Sequence, residues 1–274
     1  FQDIQRLPPA HTLTCDRNGN ISVEPYWQLS RKPQSVKSVG ETCEALRQHL
    51  EEATSIRLIS DVPLGAFLSG GIDSSAVVGF MAKRMSRPVR TFSIGFEESD
   101  FSELEYARLV AKHFGTDHRE FIVKPETAEI LPRLAWHYDQ PFADPSALPS
   151  YYVARETRKH VTVALNGDGG DESFGGYLRY QADRIFYALS WFPAPLRQCM
   201  ANLILKIPSG LQKKYLVRRI LRAGSILNST PQEFNFRIFC YFDQNSLSEI
   251  FDGPLLGINR SKNVYDYFSS LYGQ

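Results

Sequence analysis

The sequence is poor in the features that would place it in several common classes. It has no uninterrupted apolar run near the ~18 residues that a membrane-spanning helix needs. No basic segment leads into an apolar one at its start, so no secretory leader is read there. It also lacks an excess of either charge: 31 Lys and Arg stand against 30 Asp and Glu, a formal net charge of +1. A general nucleic-acid binder would carry a basic surplus, so neither nucleic acid nor membrane is expected as a partner. Cysteine is sparse, with only Cys15, Cys43, Cys199 and Cys240. None falls in a CxxC pair, which argues against a zinc or thioredoxin-type motif. That low density reads as reduced thiols in a cytoplasmic protein. His113, His118 and His137 stand at no standard metal spacing and are read as structural or surface residues.

What is present is the composition of a globular protein. Hydrophobic residues make up 43% of 274, enough for a sizeable core and too many for general disorder. The first residue is Phe1 rather than Met, so a piece of a longer protein is expected. His11 to Thr14 alternates polar and apolar, Asn18-Gly19 is a turn dipeptide, and Ile21 and Val23 resume the alternation. Arg31 to Lys37 reads as a linker.

From Gly40 onward, helical and strand-like runs alternate. Helices are expected over Gly40–Leu58, Ser74–Met85, Phe101–Phe114, Thr127–His137 and Leu148–Lys159. Strands are expected over Leu64–Leu68, Val89–Phe96, Arg119–Val123 and Val161–Leu165. This alternation predicts an α/β fold, a Rossmann-like parallel sheet with helices on both faces and strands buried on both sides. After Tyr180 the strand signals stop, and aromatic-rich helical stretches broken by proline and glycine predict a helical region.

Two loops carry the chemistry. Ser69-Gly70-Gly71-Ile72-Asp73-Ser74-Ser75 follows the first strand and opens a helix. Its glycines let the backbone approach a ligand, and the helix N-terminus and serine hydroxyls favour an anion such as phosphate. It is no Walker A loop, since no lysine follows the glycines; nor is it a G-x-G-x-x-G dinucleotide fingerprint or a nucleophile elbow. The bland alternative is a strand–turn–helix junction with an ordinary cap. The second loop, Asn166-Gly167-Asp168-Gly169-Gly170-Asp171-Glu172, puts three carboxylates at the carboxyl end of a strand, where α/β folds bind ligands. Carboxylates beside a polyphosphate call for a hard cation such as Mg²⁺ between them. A solvated acidic turn capping the next helix is the alternative. The Lys213-Lys214 and Arg218-Arg219 cluster reads as a solvated helix face.

The order S-G-G-x-D-S-S resembles the pyrophosphate loop of ATP pyrophosphatases. Its lead-in, Asp61 to Leu68, narrows the resemblance to the glutamine-dependent asparagine synthetases and their β-lactam synthetase relatives. The second loop, with Phe174-Gly175-Gly176-Tyr177, resembles that family's S-G-E-G-S-D-E-x-F-G-G-Y. Asn166, Asp168 and Gly170 depart from its Ser, Glu and Ser. At Asp168 the carboxylate is one methylene shorter, so the acceptor is left as aspartate or a related acid. Thr91 to Phe96 and Asp139 to Ser146 resemble two further family segments; the latter, with its prolines, reads equally as a stiffened helix cap.

The resemblance implies an ATP-dependent amide-forming ligase with ATP and Mg²⁺ as cofactors. It implies pyrophosphate contacts from Ser69, Gly70, Gly71, Asp73 and Ser74, and nucleotide contacts from Leu68, Ile94, Asn166 and Gly167. Asp73 and Asp171 would hold the metal, and Ser69, Asp168 and Asp171 would be catalytic. Residues 1–37 then read as the junction from a missing N-terminal glutaminase domain that supplies ammonia. Residues 38–185 read as the ATP-binding synthetase domain, and 186–274 as a helical extension incomplete at its C-terminal end. Homodimer formation is left open. An amidotransferase of the same fold acting on a glycan, peptide or other acid is the alternative, as is a non-catalytic nucleotide-binding domain.

Overall fold

A computed structural model describes residues 4–28, 38–96, 103–124, 127–140, 142, 144–207, 224, 227, 229–240, 265, 266 and 269. The Arg31 to Lys37 linker, Phe101 and the Lys213-Lys214 and Arg218-Arg219 cluster lie outside them. The chain divides into two compact units. One comprises Phe1–Ala66 and Val77–Ala164, the other Phe67–Ala76 and Leu165–Gln274.

In the first unit, β1 (His11–Cys15) pairs antiparallel with β2 (Ile21–Pro25), Leu13 opposite Val23. Asp16 builds the turn between them. Its carboxylate accepts from the Asn18 and Asn20 amides, each at 2.8 Å, and from the Asn20 side chain at 2.7 Å. The Asn20 side chain is the chief reason that this carboxyl lies below its usual range. Helix α1 (Val39–Ser55) starts at a capping box: the Glu41 amide donates to Ser38 Oγ, and the Ser38 amide donates to the Glu41 carboxylate. Its Glu51 reaches Lys83 at 2.9 Å and Arg84 at 2.6 Å, fastening α1 to the end of the next helix.

The expected alternation follows as β3 (Leu64–Phe67), α2 (Ile72–Arg84), β4 (Arg90–Phe96), α3 (Leu104–Phe114), β5 (Asp117–Val123), α4 (Thr127–Tyr138), α5 (Ala147–Thr157) and β6 (Val163–Leu165). Among the described residues these four strands form one sheet in the order β5-β4-β3-β6. β4 and β5 run parallel, with Ile94 opposite Phe121 and Phe96 opposite Val123. The amides of Thr162 and Val163 both donate to the Pro63 carbonyl, so β6 starts beside the start of β3.

Strand alternation explains how helices come to cover both faces. Ile94, Phe96, Phe121 and Val123 point to one face and pack with Ile130 and Leu134 of α4 and Ala147 and Tyr152 of α5. Gly95 and its partner Ile122 point to the other, where Leu104 of α3 lies against Gly95. Phe92, fully buried, stacks on Phe121 at 6.3 Å and on His160 at 5.7 Å.

One expectation is corrected. A strand over Val161–Leu165 buried on both faces becomes the short β6, in which Val163 is 40% exposed. Val161 is buried but precedes the strand. β6 is an edge of the described sheet, so it has a neighbour on one side only and is less covered than β4. The other edge, β5, shows the same effect at Ile122.

Among its described residues the second unit is helical after the acidic loop, as expected. It contains α6 (Gly170–Phe174), α7 (Leu178–Ser190), α8 (Ala194–Leu205) and α9 (Pro231–Phe239). Phe186 of α7 and Phe234 of α9, both buried, stack at 4.1 Å. Thr230 and Glu233 cap α9 with a second capping box.

Candidate functional site

β3 hands directly over to the first glycine loop. Leu68 is 1% exposed and anchors the turn, while Ser69 and Gly71 stand in solvent. Gly70 adopts φ 84, a conformation that a side chain would strain. Helix α2 opens at Ile72, two residues earlier than the periodicity predicts, so Asp73 and Ser74 lie in its first turn.

The serine hydroxyls knit this loop together. Ser74, nearly buried, accepts from the Ser69 amide at 3.3 Å, meets Ser69 Oγ at 3.0 Å and donates to the Gly71 carbonyl at 3.3 Å. The Gly71 amide donates to Ser69 Oγ at 3.2 Å, and Ser75 Oγ donates to the Gly71 carbonyl at 2.6 Å. The loop is therefore held in a closed turn by its own side chains.

In the second loop two of the three departures, Asn166 and Asp168, bind each other. The Asn166 side-chain amide donates to Asp168 Oδ2 at 2.7 Å, and the Asp168 amide points back to Asn166 Oδ1 at 3.4 Å. Gly169 takes φ 88 just before α6, and Gly175 takes φ 71 just after it. Sequence reasoning missed the contact that follows: Tyr177 donates its hydroxyl to Glu172 at 2.6 Å, with the Arg179 guanidinium 4.5 Å over the Tyr177 ring. A tyrosine five residues after a glutamate is too common a pattern to have signalled it.

That hydrogen bond, first among its causes, pushes the Tyr177 hydroxyl up to about 12 and holds Glu172 below its usual range. Tyr177 is favoured in its protonated form, so its contribution is complete below the ordinary tyrosine pKa of about 10 and fades as pH rises from there toward 12. Glu172 contributes above its ordinary pKa and loses that as pH falls through the depressed value. In an absorbance titration of tyrosinate, Tyr177 is expected to ionise late. Tyr177→Phe should remove a component near pH 12; removal of one near pH 10 instead would show that the bond is not formed.

The two loops meet through glycines. A Cβ on Gly167 would stand 2.7 Å from the Ser74 amide nitrogen and 2.8 Å from Asp73 Cβ. A Cβ on Gly170 would stand 2.6 and 2.8 Å from the two carboxylate oxygens of Asp73. Ser69, Gly70, Gly71, Asp73 and Ser74 thus share one unit with Asn166, Gly167, Asp168 and Asp171. Asp73 and Asp171 are half-buried, whereas Asp168 is exposed.

Other expected residues belong to the first unit. Ile94 packs its side chain into the α4–α5 cluster, and its backbone pairs with Phe121. Of the Asp139 to Ser146 segment, Pro141 and Ala143 lie outside the described residues. Asp139 has φ 51, and Asp144 accepts from the Ser146 amide at 2.8 Å, an Asx-type turn just ahead of α5. His118 is tied to Thr91 Oγ1 at 2.9 Å, while His113 and His137 lie edge-on to Phe114 and Trp136.

Among the described residues no three His, Cys, Asp or Glu side chains gather as a metal cage. The donors present, two half-buried carboxylates beside glycine backbone, suit Mg²⁺ in its usual form, in which one or two carboxylates are supplemented by phosphate and water.

The sequence profile of asparagine synthase matches residues 45–249, three-quarters of the chain. The chain belongs to the asparagine synthase family. It is 36% identical to Asparagine synthetase [glutamine-hydrolyzing] 1 of Bacillus subtilis over 79% of this chain and 34% of that one. It is 39% identical to Putative asparagine synthetase [glutamine-hydrolyzing] 2 of Methanocaldococcus jannaschii, over 76% and 40%. More distant is Amidase chry2 of Gibberella zeae, 29% identical over 68% and 30%. The chain therefore spans about a third of the length of these relatives. Among the described residues no helix is long and apolar enough to cross a membrane.

Proposed function

We propose that this chain supplies the ATP-binding synthetase portion of an amide-forming ligase. ATP is held by the two loops of the second unit; the carboxylate of an acid attacks its α-phosphorus and expels pyrophosphate, and ammonia then attacks the acyl-adenylate, releasing AMP and leaving the amide. The observation that carries this is the close approach of Gly167 and Gly170 to Asp73 and Ser74, which joins the phosphate-type loop to the acidic loop. Family membership supports the reaction class.

In this reading Ser69, Gly70 and Gly71 contact the pyrophosphate half, with Ser74 keeping the turn closed. Leu68 contacts the nucleotide through its backbone, and Asn166 and Gly167 flank it. Asp73 and Asp171 would hold Mg²⁺, which when bound neutralises charge on the phosphate oxygens. Ser69 and Asp171 keep the phosphates oriented, and Asp168 faces the acceptor. The chain's contribution is largely positioning, which fixes the attacking carboxylate in line with the α-phosphorus.

Aspartate is the acceptor that the synthetase-named relatives suggest, with ammonia as the nitrogen donor. One observation favours a second reading, an acid other than aspartate: the shortened Asp168 is tied back to Asn166. Two measurements test the proposal. Calorimetry should show ATP binding that Mg²⁺ strengthens; no heat from ATP with Mg²⁺ on folded protein would end the proposal. Acid-dependent exchange of pyrophosphate into ATP then separates the acceptors. Exchange supported by aspartate favours the first, and exchange supported only by another acid favours the second.

A further inference from the structure

Three glycines of the second unit sit where no turn demands them. Gly169 and Gly175 have left-handed backbones that explain their identity, but Gly167, Gly170 and Gly176 do not. Any residue could adopt their conformation. What a side chain at each would displace is a neighbour in the site. At Gly167 it is the start of α2, Asp73 and Ser74. At Gly170 all three nearest atoms belong to the Asp73 carboxylate. At Gly176 a Cβ would collide with Asp171 Oδ1 and stand 3.0 Å from its Cγ.

We infer that Gly170 and Gly176 are positioning residues whose missing side chains set where the carboxylates of Asp73 and Asp171 stand. Each acid rests on the bare α-carbon of a glycine. Gly170 opens α6 with an ordinary helical backbone, so Ala would suit it better there on propensity alone. Space for Asp73 is the remaining reason for a glycine. The same position departs from the serine of the motif that this loop resembles. A Cβ there would press on the Asp73 carboxylate as it stands. The Gly176 amide also donates to the Asp171 carbonyl at 3.0 Å, which keeps that glycine against the acid beyond the end of α6.

The inference rests on the proposed Mg²⁺ role of the two acids, and its test separates the two ideas. ATP is titrated calorimetrically into the protein and into Gly170→Ala, once with Mg²⁺ and once with EDTA, with circular dichroism verifying the fold. The unaltered protein should bind ATP more tightly with Mg²⁺. Gly170→Ala should lose at least tenfold of the affinity measured with Mg²⁺ while its affinity in EDTA stays within twofold. Gly176→Ala should behave alike through Asp171. A merely structural defect would lower both affinities together and overturn the inference, as would an unchanged Mg²⁺ response. If the unaltered protein shows no Mg²⁺ response, the proposed function itself fails. Should Gly170→Ala not fold, adding Asp73→Ala must restore cooperative unfolding, because it removes the group that the new methyl strikes. No restoration would overturn the inference as well.

Discussion

Asp73→Asn is expected to weaken ATP binding in the presence of Mg²⁺ by about a hundredfold, and Asp171→Asn by a similar factor. Asparagine keeps the size of the side chain and removes its charge. The loss corresponds to about 3 kcal/mol, the upper range for an interaction with a charged group. Binding in EDTA should not weaken and should gain modestly, because without a cation the carboxylate only repels the phosphates. The fold should survive, since both residues are half-buried and lie at the start of helices rather than in the core. Titration calorimetry with and without Mg²⁺ measures this directly. Unchanged Mg²⁺-dependent affinity in both variants would reduce the acidic loop to a helix cap.

Phe92→Ala is expected to destabilise the first unit by about 3–5 kcal/mol, the usual cost of removing a buried aromatic ring and leaving a cavity. Phe92 has no solvent exposure and stacks on both Phe121 and His160. The chain makes room for it at Gly65, where a Cβ would stand 2.8 Å from the ring and equally close to the Arg90 carbonyl. With net stabilities of about 5–15 kcal/mol for a domain, such a loss is a large share of the total. Urea denaturation gives the value. A change below about 1 kcal/mol would mean that the β4 core is not packed as described.

Much of the fold was legible because its signals are local. The apolar run Leu64–Leu68 and the periodic residues after Ser74 announce a strand and a helix within a few residues of themselves. The boundaries moved where tertiary contacts took over. Helix α2 starts at Ile72 rather than Ser74, because the serine hydroxyls and the Gly71 carbonyl close the turn two residues sooner. Val161–Leu165 looked uniformly apolar, yet only Val163–Leu165 pairs as a strand. Apolar residues report burial somewhere; they do not report which edge of a sheet a strand will occupy.

The same division runs through the candidate site. The sequence alone determined the two loops, their glycines, serines and acids, and their place after strands. Those features depend on neighbouring residues and backbone preferences, which are written in order along the chain. Only the tertiary structure decided which atoms share space: Asp73 against Gly170, Asp171 against Gly176, and Tyr177 bonded to Glu172. No spacing rule predicts that a glycine is present to admit a carboxylate from a distant segment. Close packing brings such groups within van der Waals range, and a sequence read in one dimension holds no distance between them.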